Sequence, residues 1–380
     1  MKRIITIFFL CMLLNTKLVF ANEVSVKTTI YENSNIEDIA NENEEILASM
    51  PTYSFDALID STAAGENIFK PQTILERIIS FLFVELKSNI YVVISVIVLA
   101  IIFGLVSNVQ SAYSESTVSQ TVFFAFYTAF LGIIINGLNE CITLASSVIS
   151  KQVVFMKAAV PVYAALMNST GSVTTAAGME SIFLFFIQLI ASLLEKFALP
   201  LTFWIAILNM VNCITDKFSI KKLIEFAKQT IKWTLGLLMT FFIGILGLSG
   251  FATSAVDGLG VKTLKFAVGN FIPVVGGMLT DSIGTVMTST VILKNAIGTT
   301  GVITVILMCA MPLIKILALI VLYKLSAGLI EPLCDKRMTL MMSEAGNCLT
   351  YVFLILLAVT IMFVLGTAIM LSIGNRITMV

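Results

Sequence analysis

The chain has no histidine, which removes the commonest metal ligand and acid-base group from all 380 residues. Charge is scarce as well: Asp, Glu, Lys and Arg make up 12% of the sequence, too little to clothe a soluble protein of this length. Cysteine is sparse and scattered. Cys11 lies in the first apolar run without the small preceding residue that lipid attachment needs. Cys141, Cys213, Cys309, Cys334 and Cys348 leave an odd number in mostly apolar surroundings. Neither a disulfide framework nor a metal site follows from that spacing. There is no phosphate-cradling loop, no zinc-ligand set and no nucleophile motif, so no catalytic, cofactor or metal residues are expected and the chain reads as no enzyme. The net charge is zero, and a nucleic-acid partner is not expected.

What fills the sequence is apolar. Hydrophobic residues make up 58%, and no charge occurs from Ser88 to Ser114, from Ser116 to Asn139 or from Ala345 to Asn375. Runs of that length mark an all-α polytopic membrane protein. Lys2 and Arg3, the apolar run Ile4 to Leu14 and the small residues of Val19-Phe20-Ala21 read as a signal peptide over 1–21, which places the mature N-terminus outside. From Asn22 to Glu66 ten acids face the single base Lys27, so 22–87 reads as an acidic extracytoplasmic arm. That arm ends in an amphipathic surface helix from Gln72 to Lys87. The first span then occupies 88–115.

Side assignment rests on the stretch from Asp216 to Lys232. Lys217, Lys221, Lys228 and Lys232 share a helical face with Glu225, opposite Ile220, Leu223, Ala227 and Ile231, as a basic helix on an anionic inner leaflet requires. The first role of this cytoplasmic basic face is to set topology; docking of a cytosolic partner is the second reading. Asp335-Lys336-Arg337 forms another basic corner on the same side.

An internal repeat links these landmarks. VPVYAALM from Val160 matches IPVVGGML from Ile272, and LPLTFWIAIL from Leu199 matches MPLIKILALI from Met311, both at an offset of 112. Repeat one covers 116–232, repeat two 233–344, and 345–380 is the last span with an outer C-terminus. Each copy starts with a span and ends at a basic corner; both corners are inside, so each copy crosses an even number of times and the copies are parallel. Their Pro/Gly-broken segments are re-entrant in a six-crossing chain and fully spanning in one of about ten. The broken segment of copy two, Asp257 to Asp281, is read as the packed centre or the pathway. Its candidate structural or pathway residues are Asp257, Lys262, Lys265, Pro273, Gly276, Gly277 and Asp281, with Pro161 the counterpart in copy one. Glu180, Glu195, Lys196, Lys294, Lys315 and Lys324 also interrupt apolar runs and are expected at interfaces or paired across helices. Duplicated broken helices admit a secondary transporter, and a structural scaffold is the third reading.

Gly260 to Asp281, GVKTLKFAVGNFIPVVGGMLTD, and Leu329 to Met338, LIEPLCDKRM, carry a resemblance to the stage III sporulation protein AE family of endospore-forming bacteria. The resemblance implies a place in the mother-cell membrane facing the forespore, in a multi-protein channel complex needed for forespore development and late forespore gene expression. The implied partners are the other stage III sporulation A proteins, among them a secretion-type ATPase and a ring-forming protein, and the forespore's stage II protein Q. Membrane lipids are partners by composition, and homo-oligomerisation is open. The family motif carries no catalytic or ligand residues to this chain.

Overall fold

A computed structural model describes residues 71–111, 116–214, 220–271 and 276–376, and every regular element in them is helical. The signal peptide, the acidic arm before 71, Glu115, Lys217 and Pro273 lie outside the described residues. Helices α1 (Pro71–Ser88) and α2 (Ile90–Ser111) meet at Asn89, whose side chain donates to the Glu85 carbonyl at 3.0 Å. A long α3 (Ser116–Ser169) leads to α4 (Val173–Leu193), a π-turn (Leu194–Ala198) and α5 (Leu199–Ile214). The chain ends in α6 (Lys221–Phe271), α7 (Gly276–Ile330) and α8 (Lys336–Arg376).

Six stretches among the described residues are long and apolar enough to cross a membrane: Ile78–Val106, Thr121–Ser169, Val173–Cys213, Lys221–Ser249, Lys294–Ile330 and Lys336–Ser372. With one crossing each, the segments 215–219 and 331–335 share a side, and the C-terminal end lies on the other. The number of candidates among the described residues equals the lower of the two expected crossing counts. The stretch expected as an amphipathic surface helix and the first span are α1 and α2, which both pack against α7.

The centre of the bundle is α8, which packs against α3, α4, α5, α6 and α7. Met338, Met342, Leu349, Ile355, Leu356, Val359, Met362 and Phe363 are buried along it. Small residues, Ala345, Cys348 and Ala358, let the neighbouring backbones approach. In lipid that close packing, more than transfer of apolar surface, holds helices together. Inter-helix hydrogen bonds add to it: the Tyr323 hydroxyl donates to the Ile133 carbonyl at 3.1 Å, and Tyr127 to the Met210 carbonyl.

The expected break at Pro161 is corrected. α3 runs through it, because one lost N–H is outweighed by burial of Val160, Val162, Tyr163 and Ala164 around it. The chain turns instead at Thr170-Gly171-Ser172. Gly171 has φ 81°, its N–H donates to Asn168, and the Ser172 N–H donates to Met167, a Schellman closure that only glycine enters without strain. Shifted by 112, that turn falls inside α7, so the two copies do not break at equivalent positions. Pro200 is accommodated differently. The π-turn before it lets the Leu199 N–H reach back to Leu194, which makes room where a proline ring would strike the preceding turn.

The basic stretch is likewise not a separate surface helix. Lys221 opens α6, and the boundary at 232–233 falls inside this one helix. Ile224, Ala227 and Ile231 face the core and Leu223 faces outward, a rotation away from the expected face because Ile224 packs inward instead. Farther along, Phe226, Trp233, Leu237, Phe241 and Leu248 form an outward apolar stripe. The stripe spans about 33 Å at 1.5 Å per residue, the thickness of a bilayer's hydrocarbon. Asp257 lies outside the six apolar stretches, and α6 continues roughly 21 Å past it to Phe271.

Candidate functional site

The described part of the predicted pathway centres on Asp257. Its carboxylate accepts the Thr174 N–H at 3.0 Å on one oxygen and the Thr175 N–H at 2.7 Å on the other, across the start of α4. Free N–H groups and the positive end of the helix dipole make that position a carboxylate site. Ser172, at the N-cap position of α4, makes no side-chain cap bond. Burial alone would raise the Asp257 pKa. The hydrogen bonds from Thr175 and Thr174 outweigh it and hold the carboxyl below its ordinary 3.8. Asp257 is thus a structural clamp between α6 and α4, at the foot of the segment where α6 leads toward α7. Lys262 and Lys265 belong to the last turns of α6, while Gly276, Gly277 and Asp281 belong to the first turns of α7. The side chains of these five lie outside the described residues.

A second polar group crosses the core. Gln152 of α3 is fully buried and donates to Thr360 of α8 at 3.1 Å and to the Val305 carbonyl of α7 at 3.4 Å. Thr360 in turn meets Cys309 at 2.8 Å. The Gln152 side-chain oxygen has no partner among the described residues. Lys294, also fully buried, donates to the Leu371 carbonyl at 3.0 Å. Sequence reading flagged Lys294 as an interruption but passed over Gln152 and Thr360, since neutral polar residues in apolar runs carry no charge signal.

The basic face divides on inspection. Lys228 turns inward to Glu344 of α8 at 2.8 Å, and both side chains are largely shielded. Lys221 is exposed. Lys232 is also exposed and edges an open groove of about 300 Å³ with Gln229, Trp233, Gly236, Leu237 and Thr240. Lys315 pairs with Glu140 at 2.7 Å, as expected of a charge inside an apolar run. Among the described residues no group of acids and cysteines could hold a metal ion. Chemically these groups clamp and pair helices.

The comparisons agree with that membrane body. The profile of stage III sporulation protein AE matches residues 53–374. The stage III sporulation protein AE of Bacillus subtilis (strain 168) is 30% identical over 311 residues, covering 82% of this chain and 78% of the relative. No solved structure matches. With its six apolar helices and a profile match over most of its length, the chain belongs to the stage III sporulation protein AE family.

Proposed function

We propose that this chain is a membrane component of the sporulation channel complex that links mother cell and forespore, needed for forespore development and late forespore gene expression. The observation that carries the reading is family membership over residues 53–374 in a chain with six candidate membrane helices. In this reading it sits in the mother-cell membrane around the forespore. The cleaved N-terminus and the α6–α7 connection face the space between the membranes, and the segments 215–219 and 331–335 face the mother-cell cytoplasm. The α6–α7 connection is then the part that meets the forespore's stage II protein Q and the ring-forming stage III partner, while the cytoplasmic segments lie on the side of the ATPase.

The packing favours a wall or platform over a pore bored through one chain. α8 fills the bundle axis with buried side chains, so a conduit lies between chains. The test is deletion of the gene in a sporulating host carrying a late forespore reporter. Growth and engulfment are expected to be normal, with the reporter silent and restored by the wild-type gene. A deletion strain that forms spores at the parental frequency overturns the reading.

A further inference from the structure

The open groove on α6 changes character from one end to the other. Gln229, Lys232, Trp233, Gly236, Leu237 and Thr240 line it, all from one face of this single helix. At its start three side chains carry hydrogen-bond donors: the Gln229 amide, the Lys232 ammonium and the Trp233 indole N–H. All three are exposed, and none has a hydrogen-bond or ion-pair partner among the described residues. At its far end no side-chain donor is left, because the Thr240 hydroxyl donates to the Gly236 carbonyl at 2.8 Å. Gly236 makes the floor, where an added methyl group would meet nothing within 4 Å.

The level of the groove follows from the charge pattern. Lys232 is the last charge before the uncharged run Trp233 to Val256, and a tryptophan beside a lysine at such a boundary marks the lipid headgroups. Helix side chains lean toward the N-terminus, so Lys232 reaches back toward Gln229 and the headgroups, while Gly236, Leu237 and Thr240 lie deeper, among acyl chains. The face is also net positive. Glu225 and Lys222, exposed one and two turns before Gln229, offset each other, and Lys228 is paired to Glu344, which leaves Lys232.

We propose that this groove binds one anionic phospholipid of the surrounding leaflet. The phosphate accepts from the Lys232 ammonium and the Gln229 amide, the Trp233 N–H donates to an ester carbonyl, and one acyl chain lies over Gly236 beside Leu237 and Thr240. A charged head joined to an apolar tail matches a groove with donors at one end and none at the other. The apolar flank of a partner helix would instead cover three donors without giving them acceptors. The site requires only that α6 stands in a bilayer, whichever compartment its start faces.

Trp233 and Trp204 are the two tryptophans of the chain, so Trp204→Phe leaves Trp233 as a reporter inside the groove. The full chain with that change is placed in phosphatidylcholine vesicles holding a fixed minor fraction of brominated phosphatidylglycerol or of brominated phosphatidylcholine, whose acyl chains quench tryptophan on contact. Phosphatidylglycerol is expected to win the groove by about fivefold, the effect of one lysine at an anionic headgroup. Lys232→Gln is expected to bring the ratio near unity, and Gly236→Leu, which fills the floor, to lower it. Lys221→Gln removes the same charge roughly 16 Å away on the same helix and should leave the ratio unchanged. Circular dichroism checks that each variant is folded. Equal quenching by the two lipids, an equal drop with Lys221→Gln, a folded Gly236→Leu variant that keeps the full preference, or a Trp233 that neither lipid quenches because protein covers it would each overturn the proposal.

Discussion

Asp257 holds the N–H of Thr175 at 2.7 Å across 82 positions of sequence, so α4 is capped by a residue of another helix. Capping from outside makes the start of α4 depend on where α6 stands. A local serine cap would leave the two helices independent.

Asp257→Ala is expected to cost about 1–2 kcal/mol, the range of a lost helix cap, and to speed hydrogen exchange at Thr174 and Thr175. Asp257→Asn keeps one acceptor and should fall between it and wild type. Because the folded pKa is lowered, the carboxylate contributes fully above 3.8, and the contribution is lost as pH falls through the folded value. The unfolding temperature gap between wild type and Asp257→Asn should stay level from about pH 5 to 8 and narrow in stronger acid.

Lys228→Gln is expected to destabilise the protein more than Lys221→Gln or Lys232→Gln, because it leaves Glu344 half-shielded without its cation. The cost is about 1–3 kcal/mol, between exposed and buried pairs. A Lys228→Glu, Glu344→Lys double variant should recover part of it in detergent melting curves. Equal melting of all three glutamine variants would contradict an inward role for Lys228.

Gly301 faces the Tyr163 hydroxyl so closely that an added methyl group would overlap it. Both helices are buried there, so Gly301→Ala should cost about 1–3 kcal/mol from overpacking. Tyr163→Phe in the same background should recover stability by removing the clashing oxygen. Thermal unfolding of the two single variants and the double variant checks it.

Topology follows from helix parity. Reporters inserted at residues 215–219 and 331–335 should read the same side, and reporters at Gly171 and after Arg376 the opposite one. The basic ends near Lys221 and Arg337 predict the cytoplasm for the first pair. Protease accessibility in sealed vesicles distinguishes the sides.

The uncharged runs made the spans legible, since length and apolarity decide that question almost alone. Lys315 was legible as an interruption that needed a partner, while its partner Glu140 was not singled out. Pro161 misled because the propensity of one residue is small beside the burial of its neighbours, and the turn ten residues later depends on Gly171 adopting a positive φ. The Asp257 clamp was hidden for another reason. Ser172-Val173-Thr174-Thr175 looks self-capping, and no local pattern announces an acceptor from a distant helix.

The central position of α8 has a consequence for synthesis. The helix that fills the core is the last of the described helices to be made, so α5 waits for over a hundred further residues, on the order of ten seconds of translation, before its largest packing partner exists. Until then the surfaces that α8 covers, Gln152 among them, stand open to lipid or to chaperones. A chain stopped before Lys336 is therefore an incompletely closed bundle, one that membrane quality control has reason to remove.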